Sequence, residues 1–527
     1  MIHLIVELSK YFLLILMLLY SMQCFSIVRK RDEDERKNGE RKQIILMLFL
    51  NLAAYTVMYL QTEDIWMVYG CAAVVAYILA VQILYRIFYR KANMLLVNNM
   101  CMLMTIGLIM ISRLNFDNAK KQYLIIVAGT ALSLVVPVLI RKVRSLKNWT
   151  WLYAAAGIGM LMVVLALAAI SGGAKLSIEI GGITFQLSEV VKITFVFFLA
   201  SILRADTSFK NVVKASAVAG AHVLILVACK DLGSAVVFFM AYLVMVYVAT
   251  KKPVYALAGT LGGCGAAVAA YYLFSHVRQR VEVWKDPFGT YDQVGGGYQI
   301  AQSLFAIGAG GWFGTGLFAG SPNSIPVVQK DSIFAAICEE LGGLFGICLV
   351  LVCMSCFLMI VNISVKMSNR FYKLVALGLG TQYAVQVFLT VGGTIKFIPL
   401  TGITLPLVSY GGSSVIATIL VLAIIQGLYL LREDEGEQVE RQRQEKEIQN
   451  RESRYSQQPQ YQRPEYRNQY QQPQYGQPDY RSQGYREDYR GPVPGAGYGV
   501  PGSQAKPQRE KTLEERIEEE TEKSLNW

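Results

Sequence analysis

Charge is scarce in this chain: Asp, Glu, Lys and Arg make up 17% of its 527 residues, against about 25% in a soluble domain. With 54% hydrophobic residues and a mean hydropathy of +0.36, that shortage excludes an ordinary soluble enzyme. Histidine is rarer still. His3, His222 and His276 are all there are, which argues against histidine-rich metal chemistry. The nine cysteines (Cys24, Cys71, Cys101, Cys229, Cys264, Cys338, Cys348, Cys353 and Cys356) fall inside apolar runs. Only Cys353 and Cys356 stand at CxxC spacing, inside an apolar run and with no His/Cys cluster beside them, so neither a zinc site nor a disulfide framework is expected. No GxxxxGK[ST] phosphate loop occurs. No repeat of fixed period is visible, nor a pair of matching halves of the kind many transporters carry.

What the chain has instead is apolar runs about 20 residues long, the length of a membrane span. Thirteen helices are predicted, near 7–28, 44–61, 65–87, 94–112, 123–140, 149–170, 188–203, 212–229, 233–250, 254–273, 332–361, 373–390 and 406–431. The 332–361 run suits one tilted helix and is short for two. The first run is too long for a cleavable signal and a dense charge cluster follows it, which fits a first span. Net charge is +12 with a pI of about 9.1. In a soluble protein that would raise nucleic acid as a partner. Here cytoplasmic loops rich in Lys and Arg explain it, and no nucleic-acid partner is expected. With the N-terminus outside, alternate loops hold 22 Lys and Arg on the inside against 7 in the short outside segments (Lys10, Arg113, Lys120, Lys121, Lys175, Lys230 and Lys396). The bias predicts an outside N-terminus and a cytoplasmic C-terminus.

The largest outside segment, 274–331, is glycine-rich and mixes charges with aromatics; loops of that length are usually functional. Segments 171–188 and 391–405 are also unusual for connectors. From 433 the composition changes to Gln, Arg, Tyr, Pro and Gly, which predicts a disordered cytoplasmic tail. Within it, 511–524 reads as a short helix with Thr512 as N-cap and Glu515 three residues on.

Ionisable groups in or beside membrane spans are expensive, so each is a candidate site. Arg278 and Arg280 stand where the large loop leaves the membrane. They suit a clamp on a diphosphate or carboxylate, or ordinary interfacial snorkelling. Asp331, beside Lys330, starts a long apolar helix; it reads as a general base or as an N-cap. Glu339 and Glu340 lie two turns deeper and suit a buried structural pair. Ser188 opens another helix as its cap, with Glu189 in the first turn and Lys192 one turn in, facing either Glu189 or an anion. Lys230-Asp231-Leu232-Gly233 is a short outer turn. The stretch from Lys396 to Ser414 is dense in Gly, Pro and hydroxyls, as in broken helices lining a polar cavity. On these residues alone, an enzyme of the outer leaflet and a transporter both fit.

The motifs, in this order, resemble the SEDS family (FtsW, RodA and SpoVE). Gln186-x-Ser188-Glu189-x-x-Lys192 is similar to its QPSExxK, and Asp231-Leu232-Gly233-Ser234-Ala235 to its DLGTA. Gly297-Tyr298-Gln299 with Gln302-Ser303 matches GYQ..QS. Pro326, Asp331, Ile333, Phe334, Glu339, Glu340, Leu341 and Gly342 match P....DFIF....EELG. Pro399-x-Thr401-Gly402 and Leu405-Pro406-x-x-Ser409-Tyr410-Gly411-Gly412-Ser413-Ser414 match the closing signature. There are departures: Leu187 for Pro, Leu176 for a frequent Trp, Gln329-Lys330 for His-Thr, Ser332 for Phe, Thr390 for Asn, and the added cation Lys396.

The resemblance implies an all-α polytopic membrane protein. A ten-helix core over 93–432 follows about three extra transmembrane helices in 1–92 and precedes the tail, 433–527. It implies polymerisation of lipid II into glycan strands at the outer face of the bacterial membrane. Asp331 would deprotonate the sugar 4-hydroxyl of the acceptor, and undecaprenyl diphosphate would leave the donor strand with inversion. Arg278, Arg280 and Lys192 would meet the leaving diphosphate. Glu189, Gln302, Lys330, Glu340, Ser409 and Ser413 would complete the substrate site, with Lys192 and Glu340 in a central cavity. A divalent cation, Mg or Mn, would help the departure, though no ligand set is legible. A class B penicillin-binding protein, a transpeptidase, is the implied partner. The tail suits cytoplasmic division or elongation factors, or plain solubilisation. A lipid II flippase and an inactive scaffold are the alternatives.

Overall fold

The computed structural model describes residues 2–30, 32–170, 178–180, 183–293 and 296–456. Arg31, Lys175, Leu176 and the short helix expected at 511–524 lie outside the described residues. Residues 1–455 form one compact unit. Its helices are α1 (Ile2–Arg29), α2 (Glu33–Thr62), α3 (Ile65–Phe88), α4 (Met94–Leu114), α5 (Phe116–Ser133), α6 (Val136–Lys142), α7 (Thr150–Ile170), α8 (Leu187–Ala205), α9 (Phe209–Ala228), α10 (Leu232–Thr250), α11 (Pro253–Leu273), α12 (Ser275–Lys285), α13 (Tyr298–Gly310), α14 (Ile333–Leu341), α15 (Gly343–Val365), α16 (Arg370–Thr394) and α17 (Gly412–Ser456). Among the described residues twelve segments are long and apolar enough to cross a membrane. The 19-residue α8 matches them in length but carries Glu189, Lys192 and Arg204. The chain is a multi-pass membrane protein, and each of the thirteen spans expected from the sequence is helical among the described residues. One small hairpin, Ile178–Ile180 antiparallel to Ile183–Phe185, interrupts the otherwise helical fold in the 171–188 segment.

Local chemistry sets the helix starts. Side chains of Asp64, Asn93, Asn115, Asp231 and Asn369 accept backbone N–H bonds at the heads of α3, α4, α5, α10 and α16, satisfying donors that the first turn leaves orphaned. Pro253 opens α11, where its missing N–H does no harm. Two expected helices are broken. The 123–140 run splits before Pro137 into α5 and α6. The 332–361 run, expected as one helix, splits at Gly342 into a nine-residue α14 and the long α15. Gly342 has φ +94°, and a Cβ there would sit 2.5 Å from the Trp312 carbonyl oxygen. No other residue type fits that crossing without displacing backbone.

α4 is buried on nearly every side, whereas α11 has no buried residue. The three N-terminal helices are joined to this core by a chain of buried polar groups. Gln82 Nε2 donates to Asn98 Oδ1 (2.8 Å), and Asn98 Nδ2 donates to Gln43 Oε1 (3.0 Å). Tyr20 OH donates to Asn99 Oδ1 (3.1 Å), and Asn99 Nδ2 reaches Ser355 Oγ on α15 (3.1 Å). Amides placed between apolar helices act as glue, because the alternative is an unsatisfied group in hydrocarbon. Asn98→Leu strands both glutamines. It is expected to lower stability by about 1–3 kcal/mol, read as a lower melting temperature of the purified protein.

The composition change at 433 does not end the structure. α17 continues through it to Ser456, so the disorder expected from 433 does not hold for 433–456. Glu, Gln and Arg are good helix formers, and Arg443 pairs with Glu447 at i,i+4. Just past the membrane, Asp434 meets Arg141 (2.6 Å) and Glu437 meets Lys91 (2.5 Å), tying the helix to two basic loops.

Candidate functional site

Asp331 lies just ahead of α14 and does not cap it. The first residue outside that helix is Ser332, which makes no side-chain cap bond. The Asp331 carboxylate instead accepts from Gln299 Nε2, on the first turn of α13, at 2.8 Å. The same amide nitrogen reaches Ser332 Oγ at 3.0 Å. Thr394 Oγ1, at the end of α16, donates to the Asp331 backbone carbonyl at 3.2 Å. Helices α13 and α16 thus hold this residue, one at its carboxylate and the other at its backbone carbonyl. Burial pushes its pKa above the ordinary aspartate value, while the Gln299 hydrogen bond and the charges of Lys330 and Arg280 pull it back down. A carboxylate with a raised pKa and an accessible side is suited to taking a proton.

The arginines part company. Arg280 is half-buried and its guanidinium donates to the Leu400 carbonyl (3.1 Å), with Asp231 and Asp331 both close enough to favour its charge. Arg278 is exposed, bonds the Tyr272 carbonyl (3.1 Å) and lies over the Tyr271 ring. It finishes the end of α11, whereas Arg280 turns to the Leu400 carbonyl. Lys330 is exposed beside Asp331. Gln302 donates to the Tyr291 hydroxyl (2.8 Å), one turn beyond Gln299.

A second polar cluster is buried between α8 and α16. Glu189 and Lys192 pair at 2.6 Å, and Lys192 Nζ also donates to Gln386 Oε1 at 2.9 Å. They line a small cavity together with Gln382 and Thr418. Ser188, expected as a cap, sits inside the first turn instead, with its hydroxyl 3.5 Å from Asp231 Oδ2. Asp231 caps α10 and also accepts from Gln186 Nε2 at 3.0 Å. Ser413 Oγ accepts from the Gln186 backbone N–H (3.0 Å), and Ser409 Oγ from the Leu405 N–H (2.9 Å). Ser409 thus holds backbone within the broken 396–414 stretch, and Ser413 ties that stretch to the residue ahead of α8.

Glu340 is not in that cavity. It is fully buried beneath the 315–321 loop, where Arg113 binds it through Nε (2.9 Å) and a terminal nitrogen (2.8 Å). It also accepts from the Phe318 N–H, and Glu339 accepts from the Ser321 N–H. These acids fasten the loop to α14, in keeping with the structural reading. Arg113, Gln299, Gln386 and Thr394 were not singled out as site residues by sequence reasoning. Gln299 stood in the GYQ..QS motif; the other three are isolated polar residues in or beside an apolar helix, and that position was their only signal.

A divalent cation finds no protein ligand set at Asp331. The carboxylate's neighbours are an amide and cationic groups, and among the described residues no three His, Cys, Asp or Glu side chains gather.

Comparison with known proteins bears on the family and the fold. Residues 91–432 match the family model FtsW/RodA/SpoVE, described as cell cycle protein. Peptidoglycan glycosyltransferase RodA of Mycobacterium tuberculosis is 34% identical over 376 residues, covering 64% of this chain and 78% of that protein. Stage V sporulation protein E of Bacillus subtilis is 31% identical over 356 residues, covering 63% of this chain and 94% of that protein. In fold, the chain is similar to a chain solved under the heading "Structural coordination of polymerization and crosslinking by a peptidoglycan synthase complex". There the TM-score is 0.55 and the identity 21%, over 65% of this chain and 98% of that one. With its family model matched over more than half its length and its polar motifs gathered on the helices described above, the chain belongs to the FtsW/RodA/SpoVE family.

Proposed function

We propose that this chain is a peptidoglycan glycosyltransferase that polymerises lipid II at the outer face of the bacterial membrane, with its N-terminus outside and its C-terminus in the cytoplasm. The observation that carries the reading is the half-buried Asp331 carboxylate, held by Gln299 and flanked by Arg280 and Lys330. In the proposed step Asp331 takes the proton of an acceptor sugar hydroxyl. The hydroxyl oxygen bonds the anomeric carbon of the donor, and the bond from that carbon to the lipid diphosphate breaks, with its electron pair leaving on the diphosphate. Arg280 is the best-placed cation for that developing charge, since it is half-buried and within electrostatic reach of Asp331. The Lys192–Glu189–Gln386 cluster serves substrate binding at its cavity. A class B penicillin-binding protein is the proposed partner.

The test is purified protein, with and without such a transpeptidase, supplied with labelled lipid II and resolved on a gel. Glycan strands support the reading. Absence of strands from an intact complex, with lipid II crossing protein-loaded vesicles, supports a flippase instead.

The Gln299 bond carries a pH signature. Its N–H favours the ionised carboxylate, so removing it raises the Asp331 pKa further. A base works only when deprotonated, so polymerisation falls as pH drops through that pKa. Gln299→Ala is expected to move this acidic limb to higher pH. Initial rates between pH 4 and 8 check it.

A further inference from the structure

The first three helices lie outside the family match, yet α1 packs against both α14 and α15. Its outer half rests on the 311–320 loop. Tyr11 and Phe313 rings meet at 5.7 Å. Val6 is buried against Gly316, whose φ is +103° and where a Cβ would stand 3.1 Å from Val6 Cγ1. Deeper, Leu13 of α1 and Leu50 of α2 share one apolar cavity with Leu317 and with Leu341 at the end of α14. That loop is laced to α14. Thr315 and Gly316 donate their backbone N–H groups to the Glu339 and Glu340 carbonyls, each at 2.9 Å. Asp331 stands at the other end of the same nine-residue helix. The inner half of α1 is fixed to α4 by the Tyr20–Asn99 bond.

We propose that the N-terminal extension is a brace: α1, anchored on α4, clamps the 311–320 loop and through it holds α14, so that Tyr11 and Val6 are positioning residues for Asp331. The kinetic consequence rests on the glycosyltransferase reading; the structural one does not. A rigid helix transmits displacement at one end to the other, and small misplacement of a reacting group is costly.

The experiment uses the full chain in detergent, as wild type, Tyr11→Ala, Val6→Ala and Tyr11→Phe. Amide hydrogen exchange is followed over 311–342 and over the distant turn at 366–369. Strand formation from lipid II gives kcat and KM. For Tyr11→Ala and Val6→Ala, exchange over 311–342 is expected to quicken by about fivefold, the scale of one lost aromatic or apolar contact. kcat should fall about three- to tenfold, with KM within about twofold. Tyr11→Phe keeps the ring contact and should behave as wild type. Exchange unchanged over 311–342, or quickened equally at 366–369, overturns the brace. Quickened exchange with unchanged kcat overturns its positioning role. If wild type makes no strands, the glycosyltransferase reading fails, and the exchange comparison alone decides whether the brace exists.

Discussion

Asp331→Ala is expected to lower lipid II polymerisation by about a thousandfold or more, within the range for loss of a general base. The protein should stay folded. Burial raises the pKa of this carboxyl, so its ionised form opposes folding rather than supporting it. Removing it should leave the melting temperature unchanged or slightly higher, the usual relation between a functional group and the stability it forgoes. Asp331→Asn keeps an acceptor for Gln299 but cannot take a proton, so it should be as inactive as alanine. Strand formation on a gel and a thermal melt of the same samples give both halves of the result. An active Asp331→Asn would move the base elsewhere and leave Asp331 a positioning role.

The largest effect on stability is expected at Arg113. Glu340 is fully buried, and Arg113 is its cation, donating from Nε at 2.9 Å with a terminal nitrogen 2.8 Å from the same oxygen. Arg113→Ala leaves that carboxylate without its cation in the interior. Breaking a buried pair in this way costs about 3–5 kcal/mol. The variant should be recovered in poor yield, with a much lower melting temperature. The guanidinium also lies 4.1 Å from the Phe318 ring centroid and bonds the Gly320 carbonyl, so the 315–321 loop should loosen with it. The double variant Arg113→Leu/Glu340→Leu removes both charges. It should recover much of the lost stability, because replacing a whole buried pair by apolar groups is often neutral. A double variant no better than Arg113→Ala would mean that the loop contacts, not the stranded charge, dominate. Activity should stay low in both, since the loop supports the helix that follows Asp331.

Much of the fold was legible because its causes are local. A membrane span shows as an apolar run, and its start shows as Asn93, Asn115 or Asp231 one residue ahead. The motif residues were legible for the same reason, as short contiguous patterns. The sequence did not reveal the break at Gly342, because its cause is the backbone of Trp312 and Phe313 passing close by. Nor did it reveal that Asp331 is spared capping, because Gln299 competes for its carboxylate from 32 residues away. The separation of Glu340 from Lys192 was equally hidden. Each found a partner on its own side of the bundle, Arg113 for one and Glu189 with Gln386 for the other. The helix beyond 433 was missed for a different reason: low apolar content argued for disorder, while Glu, Gln and Arg favour helix and Asp434 and Glu437 reach the basic loops.

Read alone, the sequence determined the membrane class, the thirteen long helices, the family resemblance and the identity of the acidic residue proposed as base. All of these depend on composition and on neighbours along the chain. Tertiary structure decided which polar groups meet. It set Gln299 on Asp331, Arg113 on Glu340, Gln386 on Lys192, and α1 on the loop beneath α14. A buried polar group must find a partner wherever the packed helices offer one. The nearest partner in space is set by how the helices cross, which no spacing along the chain records.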